Sequence, residues 1–434
     1  PGPGVMYEWV TMTAIEKIGS QEKEVGKVRY HYYTLNPYFA IFNPNIEMKD
    51  IDGDVIFKAE VEDINMSFNS LTAKDMKIEK NLSKIGQLIS IEEFNEVGQL
   101  MNKTLNTYQP RLGEISETFT SMKSVFDFTE NDDYVQTNFN LQKHLLSLST
   151  KSEKVSVLKK VENITPVGKS SVEYLSADPW LGTYTSSKRT LSDGSTIYER
   201  KVPAYTKYPL MGSKIENPIN KNMLTQETMS ITSLGNSTIN ASITTWKNNW
   251  DYRNVDGSIT NESGIWRKHK NYIWKDDVDP DDGTYLTAIG INSNYFDWVN
   301  NEPEDTDLGN KWQNVSTITE YTRWSSPIET KDINGNFASS KMSDNYSKVI
   351  ASGNASLDEM HYSGMEYLEG GNYLDPEIIG ASYRSNEMAH TGKYSAKLNV
   401  NNAVAVDLNH GQMSSGKYKL SVWASISNYG YLKF

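Results

Sequence analysis

Ser187-Lys188-Arg189-Thr190-Leu191-Ser192-Asp193-Gly194-Ser195-Thr196-Ile197-Tyr198-Glu199-Arg200 sets two runs of β-prone residues on either side of an Asp-Gly pair. Both central positions of a type I′ turn need φ > 0, which Asp, Asn and Gly tolerate, so the stretch reads as a β-hairpin. Asp52-Gly53, Asp256-Gly257, Asp282-Gly283 and Asn334-Gly335 read as further hairpin tips where strand-like residues flank them. Val28-Arg29-Tyr30-His31-Tyr32-Tyr33-Thr34 and Val55-Ile56-Phe57-Lys58-Ala59-Glu60-Val61 carry period-two patterns of β-branched and aromatic residues. The local chemistry is mainly β.

Residues 91–105 carry apolar side chains at helical spacing. Gly98 interrupts that run, and the β-prone Thr104-Leu105-Asn106-Thr107-Tyr108 follows it, which favours strand, turn, strand over a helix. The polar stretch from Ser147 to Asn163 has no readable period. Composition shifts near 163–170 and again near 352–355, giving three regions: 1–168, 169–355 and 356–434. In the last, Gly392-Lys393-Tyr394-Ser395-Ala396-Lys397-Leu398-Asn399-Val400 and Gly416-Lys417-Tyr418-Lys419-Leu420-Ser421-Val422-Trp423-Ala424 both alternate, as at the start of a β-sandwich. The chain opens Pro1-Gly2-Pro3-Gly4 and stops at Phe434 within a strand-like pattern, so it reads as a fragment of a longer polypeptide.

The chain has 434 residues, 43 Lys+Arg against 55 Asp+Glu, and a formal net charge of -12. That balance argues against a nucleic-acid partner, whose phosphates need clustered Lys and Arg. No apolar run approaches the ~20 residues of a membrane-spanning helix. Zero Cys removes disulfides, thiol catalysis and thiolate metal sites. With 10 Trp and 26 Tyr, the chain can still build a core despite only 37% hydrophobic residues.

Catalytic patterns are scarce. There is no G-x-S-x-G elbow, phosphate loop or strand-linked G-x-G-x-x-G, and the six His residues form no H-x-x-x-H or H-E-x-x-H. A glycosidase needs only two suitably spaced carboxylates, which a chain with 55 acids leaves open but does not locate. No catalytic residue is assigned.

In Asp276-Asp277-Val278-Asp279-Pro280-Asp281-Asp282-Gly283, acids recur at alternate positions, as in loops for hard cations. If Asp277 came first in an EF-hand register, Asp282 would stand where Gly is needed and Ala288 where the bidentate Glu belongs. The loop therefore reads as a solvated hairpin or as a structural Ca²⁺ site through Asp277, Asp279 and Asp281. Asp50-Ile51-Asp52-Gly53-Asp54 is a shorter version. The Trp-rich stretch from Trp246 to Trp324 reads as core aromatics, or as platforms on which sugar rings stack. Trp423, in the alternating C-terminal run, is the candidate glycan-binding residue.

Glu92-Glu93-Phe94-Asn95-Glu96-Val97-Gly98-Gln99-Leu100 resembles the core of a YD repeat, with Phe94 and Asn95 in place of Tyr and Asp and Gly98 completing the turn. Further stretches are similar to large Rhs/YD-repeat-type proteins of Bacteroidota. These are Leu191–Thr196, Pro203-Ala204-Tyr205-Thr206-Lys207-Tyr208-Pro209, Trp324–Phe337 and His390-Thr391-Gly392-Lys393-Tyr394-Ser395. The resemblance implies an extended β-hairpin sheet followed by a truncated carbohydrate-binding-like jelly roll. It implies an extracellular or cell-surface location, reached with secretion machinery of a type IX-like route. It implies a non-enzymatic structural role in a shell or adhesin scaffold, possible downstream payload included, with no cofactor apart from the candidate Ca²⁺. The alternatives are a polysaccharide-binding surface adhesin and, below it, a glycoside hydrolase.

Overall fold

The computed structural model describes residues 6–35, 40–42, 45–64, 71–110, 115–125, 143–253, 259–343, 348–366, 368–369, 372–373, 378–379, 383–399, 405–406 and 417–425. Among these there is no α-helix; strands and short 3-10 turns account for the regular structure.

Along the chain run β1 (Trp9–Ile18), β2 (Gln21–Tyr32), β3 (Ala40–Phe42), β4 (Asn45–Lys49), β5 (Val55–Ile64), β6 (Leu71–Lys80), β7 (Leu88–Asn95) and β8 (Leu100–Pro110). Next come β9 (Ile115–Val125), β10 (Lys143–Glu153), β11 (Ser156–Thr165), β12 (Gly168–Ala177), β13 (Tyr184–Thr190) and β14 (Thr196–Pro203). They are followed by β15 (Glu227–Leu234), β16 (Ser237–Arg253), β17 (Ile259–Trp274), β18 (Phe296–Asp297), β19 (Glu302–Pro303), β20 (Trp312–Tyr321), β21 (Pro327–Asp332), β22 (Phe337–Ser343) and β23 (Lys348–Gly353).

Fifteen of them form one antiparallel sheet in the order β1-β2-β7-β8-β11-β12-β13-β14-β15-β16-β17-β20-β21-β22-β23. The order follows the chain except where it leaves the sheet and returns. Two such excursions build a six-stranded sheet, β3-β4-β5-β6-β10-β9, in which β6 and β10 pair in parallel. A third contributes the short β18–β19 pair. Segments 91–108 and 147–163, ambiguous and unreadable by pattern, are strands: each acquires a ladder partner on both sides, which no local period records.

The chain divides into two compact units, residues 1–200 with 233–236, and residues 201–232 with 237–434. In the first, Glu92 on β7 is buried between cations of both neighbouring strands. Its carboxylate takes Arg29 Nη2 of β2 at 2.5 Å and Lys103 Nζ of β8 at 2.9 Å, and the three residues lie directly opposite one another in register. Glu162 on β11 holds Lys169 of the neighbouring β12 and Lys160 of its own strand, each at 2.8 Å. Such cross-strand pairs cover a sheet face without a hydrophobic layer.

The second unit has an apolar core. Met229 and Ile231 of β15, Ala241 and Ile243 of β16, Tyr272 and Trp274 of β17 and Trp312 of β20 are buried together with Ile289 and Phe296 from the connection after β17. That connection is laid on the sheet by Tyr285 N–H to Thr238 O (2.7 Å), Ile289 N–H to Thr238 Oγ1 (2.9 Å) and Trp312 Nε1–H to Asn294 O (2.7 Å). A register shift between Thr244 and Trp246 flips the alternation of β16. Ala241 and Ile243 are buried before it, and Trp246, Trp250 and Tyr252 after it, so one strand feeds three clusters.

After residue 356 the described strands are two-residue pairs: β24 (Leu368–Glu369) with β25 (Asn372–Tyr373), β26 (Ile378–Ile379) with β29 (Ala405–Val406), and β27 (Arg384–Ser385) with β28 (Ser395–Ala396). Residues 417–425, expected as a strand, carry none. An alternating pattern permits a strand, but a ladder partner makes one, and the described residues supply none here.

Candidate functional site

The tips at Asp50–Asp54 and Asp332–Asn336 share one geometry, and it differs from the expected type I′ turn. In Asp50-Ile51-Asp52-Gly53-Asp54, Gly53 N–H donates to Asp50 O (3.1 Å) and Asp50 N–H to Asp54 O (2.9 Å). Only the Gly has positive φ, at 88°, so the loop is a three-residue connection ending in a left-handed glycine. Asp52 is spared φ > 0 because the Asp50 carboxylate holds the tip from inside, Oδ1 accepting the N–H groups of Asp52 (3.0 Å) and Asp54 (2.9 Å). Asp332-Ile333-Asn334-Gly335-Asn336 repeats this, with Asp332 Oδ1 taking Asn334 and Asn336 N–H, both at 2.8 Å.

The YD-like segment is the same device. Asn95 Oδ1 accepts from Val97 (3.2 Å) and Gln99 (2.9 Å), while Gly98 N–H donates to Asn95 O (3.0 Å) with φ 78°. Phe94, just before it, lies half-buried under Lys27 and Arg29, 5.4 and 5.3 Å from its ring centre. At 191–195 the backbone pattern is kept, but the first residue is Leu191, and Asp193 takes Ser195 N–H (2.9 Å) and Oγ (2.7 Å) instead. The Asp256-Gly257 pair lies outside the described residues.

The acidic loop belongs to a second turn type, shared by Asp178-Pro179-Trp180-Leu181-Gly182-Thr183 and Asp279-Pro280-Asp281-Asp282-Gly283-Thr284. In each, the Gly N–H returns to the Asp carbonyl (2.8 and 2.9 Å) and the Asp N–H donates to the Thr carbonyl (2.7 and 2.8 Å). Asp279 Oδ1 accepts Asp281 N–H at 2.9 Å, and Asp277 N–H donates to Asp276 at 2.7 Å. Among the described residues, no three acidic or histidine side chains converge to hold a metal ion. Asp276 is the acid with a charged partner. Burial pushes its carboxyl up, but Lys311, Thr287 and backbone N–H groups outweigh that and hold it at about 2.

The Trp-rich region is mostly core. Trp246, Trp250, Trp274 and Trp312 are buried, whereas Trp324 is 69% exposed. Trp423 is 77% exposed, with one ring face stacked on His390 at 4.1 Å between centroids.

A polar and aromatic knot in the second unit was not legible in the sequence. Tyr208 donates its phenol to Asn301 Oδ1 (2.7 Å) and accepts Trp246 N–H (3.2 Å). Tyr272 donates to Glu302 Oε2 (2.7 Å), whose other oxygen is paired with Lys270. Burial drives the Tyr208 phenol up to about 12 and raises Tyr272 as well. Glu302 is pulled low by Lys270 and Tyr272 against the effect of burial. These groups stay in one protonation state and fasten the 301–302 segment to the sheet. Nearby, Arg267 is only 4% exposed, lies between the rings of Tyr252 and Tyr321 at 5.1 and 5.3 Å, and donates Nε–H to Ser325 Oγ (2.9 Å). Ser325 fills a glycine-like position, φ 70°, in the β20–β21 turn. No spacing signals these contacts: Tyr208 and Asn301 are 93 residues apart.

No family model matches this chain, and no curated protein does. Solved structures give distant neighbours among Tc toxin complexes. The crystal structure of TcdB2-TccC3-Cdc42 matches at 9% identity and TM-score 0.24, covering 76% of this chain and 22% of that one. TcdB2-TccC3 matches at 9% and 0.23 over the same shares. A Photorhabdus luminescens Tc holotoxin pore with a substituted TccC3 matches at 8% and 0.24, covering 78% and 22%. The chain thus spans about a fifth of each. A likeness this slight carries no argument, and the β architecture stands on the ladders described above.

Proposed function

We propose that this chain is a non-enzymatic structural part of a large secreted or cell-surface protein of Rhs/YD-repeat-like type. The observation that supports it most is the fifteen-stranded sheet, in which hairpin after hairpin is closed by a turn that satisfies its own backbone groups. Each strand within the sheet meets its neighbour's hydrogen-bonding edge, which is what a continuous scaffold needs. The buried polar groups of the second unit act as fasteners and not as acid–base pairs. The finer parts, a Bacteroidota-type protein exported by a type IX-like route, rest on the sequence resemblance alone. No cofactor is invoked in this role.

A glycan-binding adhesin is the second reading, favoured by the open face of the Trp423–His390 stack. One experiment separates the two. On a broad glycan array the scaffold reading expects no binding by the chain. Binding abolished by Trp423→Ala would replace it with the adhesin, and turnover of any glycan would remove both.

A further inference from the structure

Between Tyr208 and Met223 the chain makes a loop whose ends are zipped together. Lys221 N–H donates to Leu210 O (2.9 Å), Asn222 N–H to Gly212 O (2.9 Å) and Met223 N–H to Met211 O (2.8 Å). Inside it, Asn220, buried, donates Nδ2–H to Ser213 O at 3.0 Å. Asn217 N–H donates to Ser213 O (3.2 Å) and Asn220 N–H to Asn217 O (3.0 Å). A Cβ at Gly212 would lie 2.9 Å from Pro209 O and 3.2 Å from Asn220 Nδ2, so the loop is filled by its own atoms. Tyr208 and Met211 anchor it in the core. Compact loops with closed ends of this kind are frequently functional.

This rigid loop turns apolar side chains outward. Ile215 is 85% exposed, Ile219 64% and Leu210 41%. The turn clasped to its base, through Tyr208 to Asn301 and Lys207 over the Trp298 ring, exposes Val299 at 90%. In a chain of net charge -12, residues 207–222 place Lys207, Lys214 and Lys221 against a single Glu216, while on the Val299 turn Asp297 caps the backbone and Glu302 pairs with Lys270. Protein interfaces favour aromatic and Arg anchors and disfavour Lys. Projecting aliphatic residues flanked by lysines suit the boundary between lipid headgroups and acyl chains. Because the backbone is already fixed, docking would order little further chain.

We propose that the 209–222 loop is a membrane-contact element that inserts Ile215 and Ile219 into the interface of a phospholipid bilayer, with Lys214 and Lys221 at the phosphates. This goes beyond the scaffold role and does not depend on it. The test is co-sedimentation of the whole chain with phosphatidylcholine vesicles containing phosphatidylglycerol. The expected result is that the wild type sediments with lipid and stays monomeric without it. The Ile215→Ser/Ile219→Ser variant should partition at least roughly tenfold less, and Lys214→Glu/Lys221→Glu should partition less than the wild type. Both pairs are exposed, so an unchanged melting temperature would verify the fold. As a local probe, Ile215→Trp should show blue-shifted emission on adding vesicles relative to the same variant in buffer. The proposal is overturned if the wild type stays in the supernatant, if either double variant sediments like the wild type, or if the emission of the Ile215→Trp variant does not respond. Self-association through the loop without lipid would overturn it too, making a second copy the occupant.

Discussion

Among the described residues of 9–110 the buried side chains are Tyr33, Asp50, Ile56, Lys84, Ser90 and Glu92, whereas in residues 201–321 they include Met211, Met229, Ile231, Ile243, Trp246, Trp250, Trp274 and Trp312. The two stretches share the same kind of antiparallel ladder. They differ in what lies on it. Beyond β17 a long connection folds over the sheet and completes an aromatic core. Between β2 and β8, charges paired across strands do the covering. A ladder satisfies backbone hydrogen bonds but supplies little burial by itself, so stability should be uneven, with the second unit opening last.

The strongest way to break that comparison is Trp274→Ala. Trp274 is 1% exposed and packs edge-on against Trp312 at 5.2 Å, so its loss should cost about 3–5 kcal/mol. Hydrogen exchange should then show lost protection across β15, β16, β17 and β20. A loss below about 1 kcal/mol would mean that the aromatic cluster is not the source of the difference.

Next is Lys84, which holds the first unit together through charge. Its ammonium lies 2.5 Å from Asp50, whose side chain is fully buried, 2.7 Å from Asp54, and 4.3 Å from the Tyr33 ring centre. Although burial disfavours the ammonium, the two carboxylates outweigh it and raise the Lys84 pKa. Lys84→Met leaves a buried carboxylate unpaired and should cost about 3 kcal/mol by urea unfolding. Adding Asp50→Asn should restore part of that. If Lys84→Met is neutral, ion pairing does not replace a core there.

The smallest effect is a pH response confined to the second unit. His269 faces Lys247, Lys270, Glu302 and the edge of Trp250, and burial together with the two lysines lowers its pKa from 6.5 to about 4. The unfolded chain therefore binds a proton that the folded chain refuses between those values. Stability is full above about pH 6.5 and falls as the pH drops towards 4. From pH 7 to 5 the loss should be about 1–2 kcal/mol, read as a falling melting temperature that His269→Gln flattens. An unflattened profile would assign the response to other groups.

Much of the fold could be read from short segments. The 187–200 hairpin sits between β13 and β14 as its flanks require, with Thr190 opposite Thr196. Gly98 interrupts the helical period of 91–105 because it is the left-handed residue of a hairpin. What Asp52-Gly53 and Asn334-Gly335 concealed is that the deciding residue stands two positions before each pair. Asp50 and Asp332, like Asn95 in the YD-like turn, cap the tip with a side-chain oxygen, and this removes the need for a second positive φ. The acidic run 276–283 looked like one cluster, yet its members have separate partners: Asp276 pairs with Lys311 and Asp279 closes its own turn. Residues 417–425 show the reverse case, a strand pattern without a partner strand among the described residues.

By itself, the sequence determined the turns and the strands that flank them. Each is settled by hydrogen bonds spanning four or five residues, and by the φ that only a few residue types accept. The tertiary structure alone decided which aromatics are core and which are surface, and which charges meet. It also decided that the loop 209–222 is braced from within while its isoleucines face outward. Those outcomes depend on contacts such as Tyr208 with Asn301 and Arg29 with Glu92, 93 and 63 residues apart. Burial belongs to the assembled surface and has no signature in a local pattern.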